Sequence, residues 1–124
     1  MERHPASNTP DAEAYLPLTA PVFHVLVALA DGDKHGYAIL KEVADRTGGK
    51  VQLSSGTLYA IIKRLLQDGL IDEIDERPDH DDERRRYYGL TAFGRQVASA
   101  EADRMEELLG AARAKRLIRK TRHA

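Results

Sequence analysis

The residues of this chain whose types and spacing could do chemistry lie in the run Ser54-Ser55-Gly56-Thr57-Leu58-Tyr59, continued by Ala60-Ile61-Ile62-Lys63-Arg64-Leu65-Leu66. Hydroxyls and a bare glycine open the segment; a tyrosine and paired cations follow on its flank. The free N–H groups at the start of a helix favour an anion, and a serine or threonine hydroxyl can hydrogen-bond a phosphate or a base edge. Gly56 lets a foreign backbone come close. Ser54 is the natural N-cap, which leaves Ser55, Thr57 and Tyr59 as candidate contacts. Lys63 and Arg64, one turn on, are candidate phosphate partners. A plainer reading stands beside this one, in which the segment is an ordinary capped helix and Tyr59 belongs to a core.

The elements that must position this segment are written in the periodicity around it. Thr19 can cap a helix with Pro21 tolerated in its first turn, and Val22, Phe23, Val25, Leu26, Val27 and Leu29 make that helix apolar on most sides, hence buried. Asp31-Gly32-Asp33 ends it. His35-Gly36 leads into a second, amphipathic helix with Tyr37, Ile39, Leu40 and Val43 opposite Lys41, Glu42, Asp45 and Arg46, closed by Gly48-Gly49. The third helix follows Ser54, turns Leu58, Ile61, Ile62, Leu65 and Leu66 inward, and ends at Gly69. Residues 70–74 and 85–90 read as two strands of a charged hairpin. Thr91 caps a last helix expected to run from Ala92 to beyond Leu117.

This order predicts a mainly α fold with a small β-hairpin: a winged helix-turn-helix followed by a long C-terminal dimerisation helix. Residues 1–18, with Pro5, Pro10 and Pro17, are expected to form a mobile arm holding at most one turn at 12–16. Residues 19–91 are expected to form the winged helix-turn-helix DNA-binding domain, and residues 92–124 the dimerisation helix with a basic tail. Within the last helix Ala98, Ala102, Met105, Leu108, Leu109 and Ala112 supply a seam whose spacing suits a partner helix. Its start can pack on its own domain and its later turns on a second chain. Six cations between Arg113 and Arg122 suit a helix-dipole partner, a frayed tail or a nonspecific phosphate contact.

Composition narrows the function classes. With 124 residues the chain makes one modest core, which a second copy would help to stabilise. No apolar run approaches the roughly 20 residues of a membrane span, and Met1-Glu2-Arg3-His4-Pro5 lacks the apolar core of a signal peptide, so a cytoplasmic protein is expected. The chain has no cysteine, which removes disulfides and thiolate metal sites. The net charge of −1 conceals a polar distribution: residues 69–90 carry eight acids against four arginines, residues 91–124 eight bases against four acids. A phosphate backbone meets a local patch, so near-neutrality does not exclude DNA.

Further candidates lie outside the third helix. Lys50 is an exposed cation just before it. Tyr37 could touch a phosphate or lie half in the core, and His35 caps or packs. Arg84, Arg85 and Arg86 beside Tyr87 and Tyr88 could reach phosphate, or pair with Asp72, Glu73, Asp75 or Glu76 across the hairpin. Alternation puts Arg84, Arg86, Tyr88 and Leu90 on one face. The loop Asp79-His80-Asp81-Asp82-Glu83 lacks the ordered oxygens and glycine of a calcium loop, and one histidine makes no transition-metal site. His24, in an apolar helix, is a packing residue. No metal or cofactor is expected, and no nucleophile with a base, catalytic carboxylate pair or phosphate loop suggests an enzyme.

Five strings in order complete the reading: Leu18-Thr19-Ala20-Pro21-Val22-Phe23, His35-Gly36-Tyr37-Ala38-Ile39, Ser55-Gly56-Thr57-Leu58-Tyr59, Leu65-Leu66-Gln67-Asp68-Gly69-Leu70-Ile71 and Arg86-Tyr87-Tyr88-Gly89-Leu90-Thr91-Ala92-Phe93-Gly94-Arg95. Together they resemble the PadR family of transcriptional regulators, over about residues 18–95. The short C-terminal arm is similar to that of the smaller subfamily. The resemblance implies a homodimeric bacterial repressor that binds double-stranded DNA; a small-molecule effector is a separate candidate partner, which the resemblance alone does not supply. Two departures stand out: Ala92-Phe93 replaces the family's usual proline and its polar or small follower, and the wing tip is strongly acidic. A winged-helix module that binds protein through the wing and acidic loop is the alternative function.

Overall fold

A computed structural model of the chain describes residues 11–74 and 86–119; residues 1–10, residues 75–85 with Arg84 and Arg85, and residues 120–124 lie outside that description. The elements are α1 (Ala20–Ala28), β1 (Lys34–His35), α2 (Gly36–Arg46), α3 (Ser55–Gln67), β2 (Ile71–Ile74), β3 (Tyr87–Leu90) and α4 (Ala92–Ala114). All three hydroxyl caps expected from the sequence are in place. Thr19 Oγ1 accepts from Val22 N–H at 3.4 Å, Ser54 Oγ from Thr57 N–H at 3.0 Å and Thr91 Oγ1 from Gly94 N–H at 2.9 Å. Each such cap contributes about 1 kcal/mol.

Helices α2, α3 and α4 all stop by one device, in which two N–H groups beyond the end fold back on the orphan carbonyls of the last turn. Gly48 and Gly49 close α2 on Asp45 and Ala44, and Gly69 and Leu70 close α3 on Leu66 and Leu65, with Gly48 and Gly69 in the left-handed region at φ 63 and 76°. In α4 the same turn falls on Arg116, at φ 65°, with Leu117 N–H returning to the Ala112 carbonyl at 2.9 Å. The helix thus ends at Ala114 and not beyond Leu117. The seam had suggested more, but its last turns find no core to pack on among the described residues. The folded-back turn satisfies the end carbonyls, and Arg113, Lys115 and Arg116 gather at the negative end of the helix.

The sheet has three strands in the order β1-β3-β2, all antiparallel, where the sequence suggested a two-stranded hairpin. Two residues cannot display alternation, so β1 is invisible to pattern. It pairs Lys34 with Tyr88 and His35 with Tyr87, while β2 pairs Glu73 with Tyr88 and Ile71 with Leu90. The core under this sheet joins Val25 and Leu26 of α1, Ile39 and Val43 of α2, Leu58, Ile62 and Leu65 of α3, and Leu70, Ile71, Tyr88 and Val97.

Two locks hold the long helix to this core. At its start, Thr91 donates through Oγ1 to the Gly69 carbonyl at 2.7 Å and through its N–H to that of Leu70 at 3.1 Å. Here α4 lies so close that a Cβ on Gly94 would stand 1.9 Å from the Leu70 carbonyl oxygen. Further along, Glu101 is completely buried. Its carboxylate accepts from Arg104 Nε at 2.7 Å, Arg104 Nη2 at 2.9 Å and Leu18 N–H at 3.3 Å. The turn expected near 12–16 is present as Ala12–Tyr15, and Tyr15 meets Phe93 edge-on at 5.6 Å. From Asp11 to Leu18 the arm therefore lies against α4 and not free of the domain. Glu101, an acid four residues after Val97 on the apolar stripe, was the sequence signal for this pin.

Candidate nucleic-acid interface

The turn between α2 and α3 is built around one hydroxyl. Thr47 Oγ1 donates to the Val43 carbonyl at 2.9 Å and accepts from Val51 N–H at 3.0 Å, which fixes how α3 leaves α2. Ser54 then closes the start of α3 twice, accepting from Thr57 N–H and donating to Thr57 Oγ1 at 3.0 Å. Thr57 stays exposed, so its hydroxyl is open to an outside partner such as a phosphate oxygen as well as to Ser54.

The candidate contacts on α3 do not share one face. The outermost ridge is Gly56, Ala60, Lys63 and Gln67, spaced by four, three and four residues and all exposed. Ala60 and Gln67 were not among the expected contacts; the same spacing that revealed the inward stripe also implied them. At Gly56 the nearest neighbour of an added Cβ would be Ser54 Oγ, 4.0 Å away. A glycine within a helix costs about 1 kcal/mol relative to alanine, and nothing in the described chain requires this one. Ser55 is exposed at the very start of the helix. Tyr59 turns towards α2, where its hydroxyl would stand 2.2 Å from a Cβ on Gly36, yet 48% of it remains exposed. Tyr59 thus packs in part on α2 and stays in part open to solvent. Thr57 and Arg64 lie on the other flank, facing the arm.

Beside α3, the start of α2 and the root of the wing assemble an aromatic patch through β1. His35 caps α2 by accepting from Ala38 N–H at Nδ1, 3.2 Å away, while its ring stacks on Tyr37 at 6.5 Å and meets Tyr87 edge-on at 5.3 Å. Tyr37 is 68% exposed and does not lie in the core. Tyr87 joined the patch only because β1 pairs with β3. Tyr88, one residue on, is buried, and burial together with the nearby Glu73 carboxylate pushes its phenol pKa up, so it is a neutral core residue.

The cations differ in what they already hold. Lys50 and Lys63 are exposed and have no ion-pair partner among the described residues. Arg64 has a long pair with Asp68 at 3.8 Å, and Arg86 one with Glu73 at 3.7 Å, the cross-hairpin alternative foreseen for it. Exposed pairs of this kind are worth about 0–1 kcal/mol and leave donors to spare. Arg46 is spent on α1, approaching His24 Nδ1 at 3.1 Å and donating to the His24 carbonyl at 3.3 Å. Among the described residues, no group of three or more His, Asp or Glu could hold a metal, and no helix is long and apolar enough to cross a membrane.

Helix α4 divides at Glu101. Gly94, Val97 and Glu101 are buried and Ala98 packs on this domain's own core, so Ala98 is committed at home. Beyond it Ala102, Met105, Leu108 and Leu109 are exposed, Leu108 by 62%, and Ala112 is half-buried.

Three core helices, a small antiparallel sheet as wing and a long final helix make a winged-helix DNA-binding protein. The family model of PadR-like transcriptional regulators matches residues 25–100, and the chain belongs to that family, whose members are regulators and not enzymes. It is similar to the transcriptional regulator Rv3488 of Mycobacterium tuberculosis, 36% identical over 85 residues that cover 68% of this chain and 75% of that one. It is also 38% identical over 86 residues to an uncharacterized 37.1 kDa transposon protein of Streptomyces fradiae; these are 69% of this chain but only 23% of that protein's length. Among solved structures, a PadR family transcription regulator of Clostridium difficile R20291 superposes with a TM-score of 0.66 at 25% identity, over 75% of this chain and 94% of that one.

Proposed function

We propose that the protein is a homodimeric repressor, acting in the cytoplasm, whose two α3 helices enter successive major grooves of a near-palindromic operator. A two-fold dimer requires half-sites about 34 Å apart or a multiple of that. The observation that carries this reading is the open ridge of α3: a glycine that meets only the Ser54 Oγ, 4.0 Å from an added Cβ, followed by Lys63, which is exposed and has no ion-pair partner among the described residues. Ser55, Thr57 and Tyr59 contact bases or sugar-phosphate. Lys50, Lys63 and Arg64, with Tyr37 and the wing arginines 84–86, contact phosphates. Ala102, Met105, Leu108, Leu109 and Ala112 form the seam between copies, with Ala98 at its packed root. Repression follows from occupying promoter DNA.

The test is binding to a duplex from upstream of the protein's own gene, measured at two salt concentrations. Affinity should fall with salt, and Lys63→Ala should weaken all sequences alike and lower the log–log slope by about one. Absence of binding at low salt would sink the reading and hand it to the protein-binding alternative. Leu109→Arg should sediment as a monomer if the seam is placed correctly.

A further inference from the structure

Between the pinned arm and the flank of α3 runs a groove of about 400 Å³, within the roughly 300–1,000 Å³ typical of small-molecule sites. Val22, Ile61, Leu65 and Leu70 make it apolar, and Tyr15 and Leu18 close its far side. Its two charged lining side chains, Arg64 and Asp68, stand together one turn apart with Nε 3.8 Å from Oδ2. That is too long for a hydrogen bond, so both groups keep unspent capacity. Asp68 is also the C-cap of α3, where the negative end of the helix adds to its own charge and favours a second cation. Arg64 offers its fork of donors to a carboxylate.

Opposite charges a few ångströms apart beside an apolar trough are complementary to a molecule with the same three parts. We infer that this groove binds a free α-amino acid with a large apolar side chain: its carboxylate on Arg64, its ammonium on Asp68, its side chain between Tyr15 and Ile61. A simple apolar acid would set its carboxylate against Asp68, and an apolar amine would set its ammonium against Arg64. The zwitterion alone satisfies both. Binding in the groove does not depend on the repressor reading. If Arg64 contacts phosphate as proposed above, then amino acid and DNA compete for it and each lowers the affinity of the other by the same factor.

The chain has no tryptophan, so the fluorescence of free L-tryptophan reports the ligand alone. With the full chain and no DNA, its anisotropy should rise saturably, and unlabelled L-leucine should displace it. Tryptophan methyl ester, which keeps only the ammonium, and N-acetyltryptophan, which keeps only the carboxylate, should each bind about tenfold more weakly. Arg64→Gln should bring the zwitterion down to the ester, and Asp68→Asn should bring it down to the acetyl compound, with circular dichroism unchanged. No saturable binding at millimolar L-tryptophan, or equal affinity for all three compounds, overturns the inference. Because DNA is absent, these outcomes are separable from a failure of operator binding.

Discussion

Two helix starts in this molecule carry the same signature and meet opposite surroundings. Helix α3 begins with Ser54 as cap and a glycine two residues on; α4 begins with Thr91 as cap and a glycine three residues on. Gly94 is pressed onto the Leu70 backbone, where no side chain would fit, whereas Gly56 has nothing within its reach but the cap oxygen at 4.0 Å. The first glycine is explained by its own chain. The second, at a similar intrinsic cost to its helix, is not required by any of the described residues, and a DNA backbone is the surface proposed for it.

Gly94→Ala should break the comparison most severely. A methyl group driven against a backbone carbonyl has no flexible neighbour to displace, so urea denaturation should show a loss of about 3 kcal/mol, the upper end of overpacking costs. The caps come next: Thr91→Ala should cost about 2 kcal/mol because its hydroxyl also ties α4 to the distant Gly69 carbonyl, against about 1 kcal/mol for Ser54→Ala, whose second bond goes to the exposed Thr57 hydroxyl in its own first turn. Gly56→Ala should have the opposite sign, stabilising the fold by up to about 1 kcal/mol while weakening operator binding. Equal or tighter operator binding by that variant would show that nothing approaches the ridge of α3.

The smallest effect concerns the pin that ties α4 to the arm. Hydrogen bonds from Arg104 outweigh burial and hold the Glu101 carboxyl below its ordinary value of 4.5. A depressed folded-state value means a contribution fully present above 4.5 and lost as pH falls through the lower, folded value. The melting temperature should therefore decline in acid more steeply for the native chain than for Glu101→Gln. Parallel profiles would show that the arm is held by Tyr15 and its apolar neighbours without the carboxylate.

The candidate site was legible where it rests on local chemistry. The Ser54 cap, the inward stripe of Leu58, Ile62 and Leu65 and the glycine at the end of α3 are short-range features, each visible within a turn or two. The aromatic patch was not, because it depends on β1, a two-residue strand with no period of its own, which brings His35 to Tyr87. Nor could spacing decide between inward and outward for Tyr59, since the answer lies in how near α2 passes.

By itself the sequence determined where the helices begin, which faces they bury and the order that makes a winged helix, because caps, stripes and left-handed glycines act through neighbours in the chain. Only the tertiary structure decided that the arm is pinned by Glu101, that Arg86 lies beside Glu73, that β1 brings His35 to Tyr87, and that the flank of α3 with Thr57 and Arg64 faces a groove closed by the arm. These depend on distances between elements far apart in sequence. They are set by packing, which no short-range pattern encodes.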